Sequence, residues 1–274
     1  MSTRPLSFLK VEGLGNDFVL VDLRADADPA ALPVALAALA GRAPLLCDRR
    51  LGVGGDGILV VGPPTSAGAA GTMIVLNHDG SRPEMCGNGL RCVALHLAGD
   101  STELQVDTDA GPRACTIRSR GEDGRSGEVE VDMGPAQILG ERTAAGRTFL
   151  AVSLGNPHAV AFVGADEDPE QLARTLGPQV ERDPRFPDRT NVEFARVEPD
   201  GALTLWVWER GCGITAACGT GACATLAAAA RLGLTAPDAA VRVQLPGGAL
   251  HVRLAGDRVW MTGPARQVFR GRLP

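Results

Sequence analysis

Two short segments, Cys86-Gly87-Asn88-Gly89 and Cys218-Gly219-Thr220-Gly221, share the form Cys-Gly-x-Gly. Each is followed by an apolar run that is typical of a buried helix and carries another cysteine, Cys92 or Cys223, about one turn in. A Gly-Asn pair lies upstream of each segment, at 15–16 and at 155–156. Two matched pairs of motifs in the same order indicate an internal duplication. Chance matching in a chain with 35 glycines is the alternative.

The remaining elements follow from β-branched runs, glycines and prolines. The pattern predicts helices over 29–41, 90–98, 169–176 and 218–231, and strands over 18–22, 58–61, 72–77, 128–133, 149–152, 159–163, 192–197 and 202–208. The polar, glycine-containing turn at 121–127 is the best domain boundary. We therefore expect an N-terminal domain over 1–120 and a C-terminal domain over 121–263.

Composition excludes several classes of protein. The 274-residue chain has a net charge of −5 and so lacks the basic surface typical of proteins that bind nucleic acid or anionic membranes. Its N-terminus lacks a signal-peptide core, and its most apolar windows, 30–40 and 222–230, are shorter than the ~18–20 residues that span a bilayer. Seven cysteines in a chain of this length favour reduced thiols. We expect a soluble cytoplasmic protein.

A cysteine in the first turn of a helix lies beside unpaired N–H groups at the positive end of the helix dipole, and both features favour the thiolate. The same N–H groups suit a bound carboxylate. Inverting an α-carbon requires removing a proton from one face and delivering one to the other. Cys86 and Cys218 are therefore a candidate acid/base pair, one thiol for each face of a small carboxylate substrate. The alternative is that both are buried cysteines that pack helices.

Other residues limit the cofactors. Lys10 is the only lysine, so pyridoxal phosphate would depend on that residue, and a reaction without a cofactor is favoured. The intervals from Cys86 to Cys92 and from Cys218 to Cys223 do not match zinc-ligand spacing, so no metal is predicted.

A histidine and a Glu-Arg pair are further candidates for the site. His158, in Gly155-Asn156-Pro157-His158, is a candidate to tune the protonation of the thiols. Arg210 follows Glu209 and is suited to bidentate binding of a carboxylate. An ordinary solvated pair at a strand end is the alternative for Glu209-Arg210.

The chain resembles the diaminopimelate epimerase family through motifs that span nearly its whole length. These are GLGNDF at 13–18, NHDGS at 77–81, EMCGNG at 84–89, GNPH at 155–158, Asn191 before Val192-Glu193, ERGCG at 209–213 and ACGTG at 217–221. The resemblance implies that Cys86 and Cys218 are the acid/base pair and that His158 and Glu209 bias the pKa values of the thiols. It implies substrate contacts from Asn16, Asn77, Gly87, Asn88, Asn156, Asn191, Glu209, Arg210, Gly219 and Thr220.

The same resemblance implies the activity and the fold. The family converts LL-2,6-diaminopimelate to the meso form without a cofactor, on the route to lysine and peptidoglycan precursors. Its fold is α+β, with two pseudo-symmetric domains from internal duplication. Each domain is a mainly antiparallel sheet wrapped around a central helix, and the active site lies in the cleft between them. The C-terminal segment, 264–274 here, returns to the first domain, and the enzyme is expected to be a homodimer.

Three departures from the family pattern are visible. The family often has Gln near Gly57 and Glu where Ile214 stands, and some members use Tyr, absent here, at a dimer interface. A racemase for another amino acid in the same superfamily is the principal alternative function. A proline-racemase-type enzyme tends to carry His where Asn88 stands and to lack the Glu-Arg-Gly pattern. A glycine-rich binding protein would need no cysteine pair, and a cysteine hydrolase would need one nucleophile with a His partner.

Overall fold

A computed structural model describes residues 5–25, 31–236 and 238–273. The chain divides into two compact units. Unit 1 comprises Met1–Val131 with Gly263–Pro274, and unit 2 comprises Asp132–Thr262. Within the described residues, no helix is both long enough and apolar enough to span a membrane.

The described residues of the first part of the chain form seven strands and two helices. In order these are β1 (Leu6–Gly13), β2 (Asn16–Asp22), α1 (Ala31–Leu46), β3 (Gly57–Gly62), β4 (Ala69–Asn77), α2 (Gly87–Leu97), β5 (Glu103–Asp107), β6 (Arg113–Arg120) and β7 (Ser126–Pro135). The rest contains β8 (Gln137–Ala144), β9 (Arg147–Ser153), β10 (Pro157–Phe162), α3 (Pro169–Glu181), β11 (Asn191–Val197), β12 (Leu203–Glu209), β13 (Gly213–Ile214), α4 (Gly219–Arg231), β14 (Val241–Leu245), β15 (Gly248–Ala255) and β16 (Arg258–Leu273).

The two units repeat one strand-pairing pattern. In unit 1, β1–β2 is antiparallel, β2–β3 parallel, β3–β4 antiparallel, β4–β5 parallel and β5–β6 antiparallel. In unit 2, the pairs β9–β10, β10–β11, β11–β12, β12–β14 and β14–β15 follow the same alternation. The helices also correspond, because α1 and α3 each join the two strands of the first parallel pair, and α2 and α4 those of the second. This topology confirms the predicted duplication and the α+β class.

A buried helix forms the centre of each unit. Every residue of α2 from Gly87 to Leu95 is buried, and this helix contacts each of the strands β1 to β6. In unit 2, α4 is buried over most of its length and contacts β9, β10, β11 and β15. Small residues such as Gly and Ala in α4 allow the close approach of strands on several sides. The predicted sheet wrapped around a central helix is therefore present in both units.

The boundary between the units lies later in the chain than the predicted position at 120–121. Residues Gly127–Val131 of β7 pair with β6 and so belong to unit 1. The following residues bond within unit 2, since Asp132 accepts hydrogen bonds from Arg258 and the Ala136 N–H donates to the Asp257 carbonyl. The polar turn at 121–127 is thus a hairpin turn between β6 and β7. Residues 263–273 of β16 lie in unit 1, and the stretch from Arg266 to Leu273 pairs with β1.

Two helices are longer than predicted. Residues 29–30 lie outside the described residues, and α1 continues past Gly41 to Leu46, because Leu39, Ala43 and Leu46 pack in one apolar core with β2, β3 and β4. Helix α3 continues through Pro178 to Glu181, since its last turn packs Val180 against the core of unit 2.

Candidate active site

Cys86 is the N-cap of α2. Its backbone is extended (φ −141°, ψ 107°), and its Sγ accepts a hydrogen bond from the Gly89 N–H at 3.4 Å. Gly87, the first residue of the helix, is buried beside it. The Cys-Gly-x-Gly sequence therefore places a half-buried thiol at the positive end of a buried helix.

The Gly-Asn motif of each half occupies a tight turn. Gly15 has φ 79° and Gly155 has φ 93°, a left-handed conformation that glycine adopts without strain. Each turn is followed by an asparagine close to a cysteine segment. In unit 1, Asn16 Oδ1 lies 4.0 Å from Cys86 Sγ and accepts a hydrogen bond from Asn88 Nδ2 at 3.1 Å. Three predicted site residues of unit 1 are therefore brought together.

A charged cluster holds Asn16 from the other side. Asn16 Nδ2 donates to Asp56 Oδ2 at 2.7 Å, and Arg49 bonds both Asp56 (2.8 Å) and Asp17 (2.7 Å). Lys10 forms an ion pair with Asp17 and donates to the Gly54 carbonyl. Burial raises the pKa of Asp17, but the hydrogen bonds from Arg49 and Lys10 outweigh it, and the net pKa is lowered. Sequence reasoning missed this cluster, although Asp56 lies within a conspicuous glycine-rich stretch.

Asn77 lies at the end of β4, opposite Gly57 of β3. Its Nδ2 donates to Ser81 Oγ at 2.9 Å, so the side chain closes the turn that follows the strand. The next residue, His78, donates its N–H to the Asp56 carbonyl at 3.2 Å, which connects this turn to the charged cluster. The role of Asn77 in binding substrate stays a prediction.

Cys218 is the N-cap of α4, with an extended backbone (φ −109°, ψ 101°). Its side chain is buried, and Sγ lies 3.7 Å from Thr220 Oγ1. Burial raises the pKa of the Cys218 thiol well above its usual range, and the carboxylates of Glu209 and Glu193 raise it further. Hydrogen bonds from the Gly221 N–H and Thr220 act in the opposite direction but are outweighed. Burial and the two carboxylates therefore act against the thiolate that the helix start favours.

Glu209 directly contacts this cysteine. Its carboxyl group accepts hydrogen bonds from the Thr215 hydroxyl and from the Cys218 thiol. Burial raises the pKa of Glu209, although both hydrogen bonds favour the charged form. The structure thus places Glu209 beside Cys218 and adds Thr215, which carried no sequence signal.

A chain of polar side chains connects His158 to Cys218. Asn156 Nδ2 donates to Thr220 Oγ1 at 3.2 Å, and Asn156 Oδ1 lies 3.0 Å from His158 Nε2. The other ring nitrogen of His158, Nδ1, lies 2.6 Å from Glu193 Oε1, and both side chains are fully buried. Burial raises the pKa of Glu193 even though the imidazole opposes that change. Sequence analysis did not assign a role to Glu193.

Arg210 and Asn191 lie where β12 ends. The Asn191 side chain is buried and bonds backbone on both sides, donating to the Pro157 carbonyl (3.0 Å) and accepting from the Arg210 N–H (2.9 Å). Arg210 is exposed, and its guanidinium donates to the Asp188 carbonyl at 3.0 Å. Asn191 therefore holds the backbone of Arg210, and direct contact of Asn191 with a substrate stays a prediction. Gly219 is buried at the start of α4.

The fold is shared with racemases, epimerases and other isomerases. It resembles a hydroxyproline epimerase from Agrobacterium vitis, with a TM-score of 0.72 at 20% identity, covering 99% of this chain and 93% of that one. It also resembles methylitaconate-delta-isomerase, with a TM-score of 0.64 at 13% identity, covering 98% of this chain and 95% of that one.

Sequence similarity defines the family more narrowly. The model of the diaminopimelate epimerase family matches residues 8–139 and 150–268. The diaminopimelate epimerase of Desulforudis audaxviator is 46% identical over 290 residues (97% of this chain, 99% of the relative), and that of Acaryochloris marina is 42% identical over 295 residues (97% and 98%). The chain belongs to the diaminopimelate epimerase family and is an isomerase.

Proposed function

We propose that this protein interconverts LL-2,6-diaminopimelate and meso-2,6-diaminopimelate, on the route to lysine and peptidoglycan precursors, through the thiols of Cys86 and Cys218. The observation that carries the proposal is the repeated helix cap. In each unit, a cysteine is the N-cap of the buried central helix, and its Sγ lies at the N-terminus of that helix. Backbone N–H groups at such a helix start bind a carboxylate and stabilise the negative charge that develops on it when the α-proton leaves.

The proton inventory of the reaction is balanced by the two thiols. One thiolate removes the α-proton and becomes a thiol, while the opposite thiol delivers its proton to the other face and becomes a thiolate. The carbanionic intermediate is stabilised as an enediolate. In one direction of the reaction one cysteine starts as the base and the other as the acid, and in the reverse direction the two roles are exchanged. Return of both thiols to their starting states requires exchange of protons with solvent or the reverse turnover.

Recognition of the second amino-acid end distinguishes this substrate from a simple amino acid. We assign its carboxylate to the exposed guanidinium of Arg210, whose planar fork offers two parallel N–H donors. Asn191 supports that position by bonding the Arg210 backbone. Asn16, Asn77, Asn88, Asn156 and Thr220 complete the proposed set of polar contacts, with Gly87 and Gly219 at the reacting carboxylate.

A direct assay tests the activity. Purified protein, kept reduced, is incubated with LL-diaminopimelate, and the epimers are separated by chiral chromatography. We expect conversion toward the meso form and no conversion of L-alanine under the same conditions. Turnover of alanine at a comparable rate would favour the alternative, a broader amino-acid racemase. No turnover of either compound would contradict the proposal.

The family resemblance also supports a homodimer in the cytoplasm as part of the proposal. Light scattering of the eluting protein measures the mass directly, and a mass equal to that of one chain of 28.4 kDa would contradict the dimer.

A further inference from the structure

Four hydrogen-bonded links join Glu193 to the sulfur of Cys218. They run from Glu193 Oε1 to His158 Nδ1 (2.6 Å), from His158 Nε2 to Asn156 Oδ1 (3.0 Å), from Asn156 Nδ2 to Thr220 Oγ1 (3.2 Å), and from Thr220 Oγ1 to Cys218 Sγ (3.7 Å). Glu193 and His158 at the far end are fully buried, so water cannot replace either partner.

The direction of these hydrogen bonds is fixed when Cys218 is a thiolate. A thiolate has no proton to donate, so the Thr220 hydroxyl is then the donor toward Sγ. That hydroxyl can donate to sulfur only if it accepts from Asn156, and Asn156 presents its amide nitrogen to Thr220 only if its oxygen faces His158. The oxygen in turn requires an N–H on His158 Nε2.

Glu193 supplies that requirement. With Nε2 protonated toward the Asn156 oxygen, a second proton lies between Oε1 and Nδ1, and either Glu193 or the imidazole can carry it. A neutral partner at position 193 would remove this constraint. A glutamine oxygen, for example, would accept from Nδ1–H, leave Nε2 without a proton, and allow Asn156 to turn its amide so that the Thr220 hydroxyl points away from sulfur.

We infer that Glu193 is a positioning residue, which acts through His158 and Asn156 to hold the Thr220 hydroxyl as a hydrogen-bond donor to Cys218. The inference rests on the proposed function for the role of Cys218 as an acid/base group, but the hydrogen-bond chain itself does not. The chain stabilises the thiolate that forms each time Cys218 gives up its proton.

The other charged groups around Cys218 do not account for this stabilisation of its thiolate. Glu209 faces it from the end of β12, and Glu193 and His158 lie on β11 and β10. On the other strands packed against α4, Arg147 of β9 pairs with Glu167, Arg253 of β15 lies over Trp260, and His251 is exposed. The direct field of Glu193 raises the pKa of Cys218. Removing the charge of Glu193 alone would therefore make the Cys218 thiolate easier to form. Loss of the hydrogen-bond chain would have the opposite effect.

The test is the rate at which iodoacetamide alkylates Cys218 at pH 8, followed by peptide mass spectrometry in the absence of substrate. In Glu193→Gln we expect alkylation about tenfold slower, because loss of one donor to a charged sulfur shifts its titration upward by about one pH unit. Glu193→Asp, which keeps the carboxylate, should lie closer to the wild type. Cys86 in the same samples is the internal control and should react at its usual rate, and Glu198→Gln, at a half-exposed glutamate of unit 2, should change neither rate.

A double-mutant cycle distinguishes action through the hydrogen-bond chain from a direct electrostatic effect of Glu193 on Cys218. Thr220→Val removes the last donor and should slow alkylation of Cys218 as Glu193→Gln does, whereas Thr220→Ser should not. In the Thr220→Val background, Glu193→Gln should cause no further slowing. If Glu193→Gln does not fold, the comparison of Thr220→Val with Thr220→Ser still tests the final link.

Three outcomes would overturn the inference. Faster alkylation of Cys218 in Glu193→Gln would show that only the direct field matters. Additive effects in the double variant would show that Glu193 does not act through Thr220. Slowing of Cys86 alone would mean that His158 serves the other thiol. Because no epimerisation is measured, failure of the proposed function would leave these results unaffected, and failure here would leave the proposed function unaffected.

Discussion

Gly221, in the first turn of α4, has no room for a methyl group. A Cβ at this position would lie 3.1 Å from Cys218 Sγ, 3.1 Å from Glu193 Oε1 and 3.3 Å from Cys218 Cβ. The Glu193 carboxyl group is held by His158 at 2.6 Å and is fully buried, so it cannot move freely. Gly221→Ala should therefore displace the sulfur of Cys218 by a few tenths of an ångström.

The expected magnitudes for activity and stability differ. Overpacking a buried position typically costs about 1–3 kcal/mol, and replacing glycine by alanine inside a helix returns up to about 1 kcal/mol. The free energy of unfolding should therefore fall by about 0–3 kcal/mol, and the variant should fold. Since misplacing a reacting group by about 1 Å can cost about a hundredfold in rate, we expect kcat to fall about tenfold.

Gly41→Ala is the matched control. Gly41 also lies inside a helix, but among the described residues no heavy atom outside the adjoining helix backbone lies within 4 Å of the position of its Cβ. This variant should gain up to about 1 kcal/mol of stability with unchanged kcat. Urea unfolding and chiral chromatography of diaminopimelate measure both quantities. If Gly221→Ala kept kcat within twofold and gained stability as Gly41→Ala does, the close packing of Gly221 against the thiol would have no functional consequence.

Three further predictions concern the cysteines and the distal arginine. Cys86→Ala and Cys218→Ala should each abolish epimerisation, measured by chiral chromatography, because each face of the α-carbon needs its own thiol. Arg210→Lys should lower kcat/KM for diaminopimelate by roughly 30-fold or more, the effect of about 2 kcal/mol or more from losing a paired charge, because an ammonium cannot copy the planar fork. The free energy of unfolding, measured in urea, should fall as the pH rises above about 9, because burial raises the pKa of Cys92 to about 12 and of Cys47 to about 11 while the unfolded thiols ionise near 9.

Each of these predictions has a control. A single cysteine variant with near wild-type turnover would remove that cysteine from the mechanism. Arg210→Lys should leave alkylation of both active-site thiols unchanged, and normal turnover of diaminopimelate by this variant would refute the assignment of Arg210. The alkaline loss should be smaller in Cys92→Ala when each protein is compared with its own stability at pH 7. An identical slope in this variant would show that Cys92 does not contribute.

The parts of the fold that the sequence predicts best are those with strong local patterns. Both central helices follow from Cys-Gly-x-Gly before an apolar run, and buried strands such as β3 are continuous apolar segments. The predicted set lacked strands with exposed charged side chains, such as β6, where Arg118 and Arg120 are exposed. Strand β16 contains Gly263, Pro264 and Gly271, residues that normally indicate loops. Pairing with β15 and β1 overrides that local preference.

The candidate site likewise combines residues that carry a local sequence signal with residues that carry none. The two cysteines and the Gly-Asn pairs carry local signals, and the structure brings Asn16 to Cys86 and connects Asn156 to Cys218 through Thr220. Glu193 has no local signal, because its contact with His158 depends on the parallel register that places Asn191 opposite His158. The charged cluster around Asp56 likewise joins side chains from three separate segments.

The most direct test of the two-thiol mechanism is a single turnover of unlabelled LL-diaminopimelate in deuterated water, with the label at each α-carbon of the meso product determined by NMR. The mechanism predicts deuterium at the inverted α-carbon and protium at the other, because the delivering thiol has exchanged with solvent while the abstracted proton remains on the opposite thiol. Protium retained at the inverted carbon would mean that one base removes and returns the same proton, and the account of Cys86 and Cys218 as an opposed pair would be wrong.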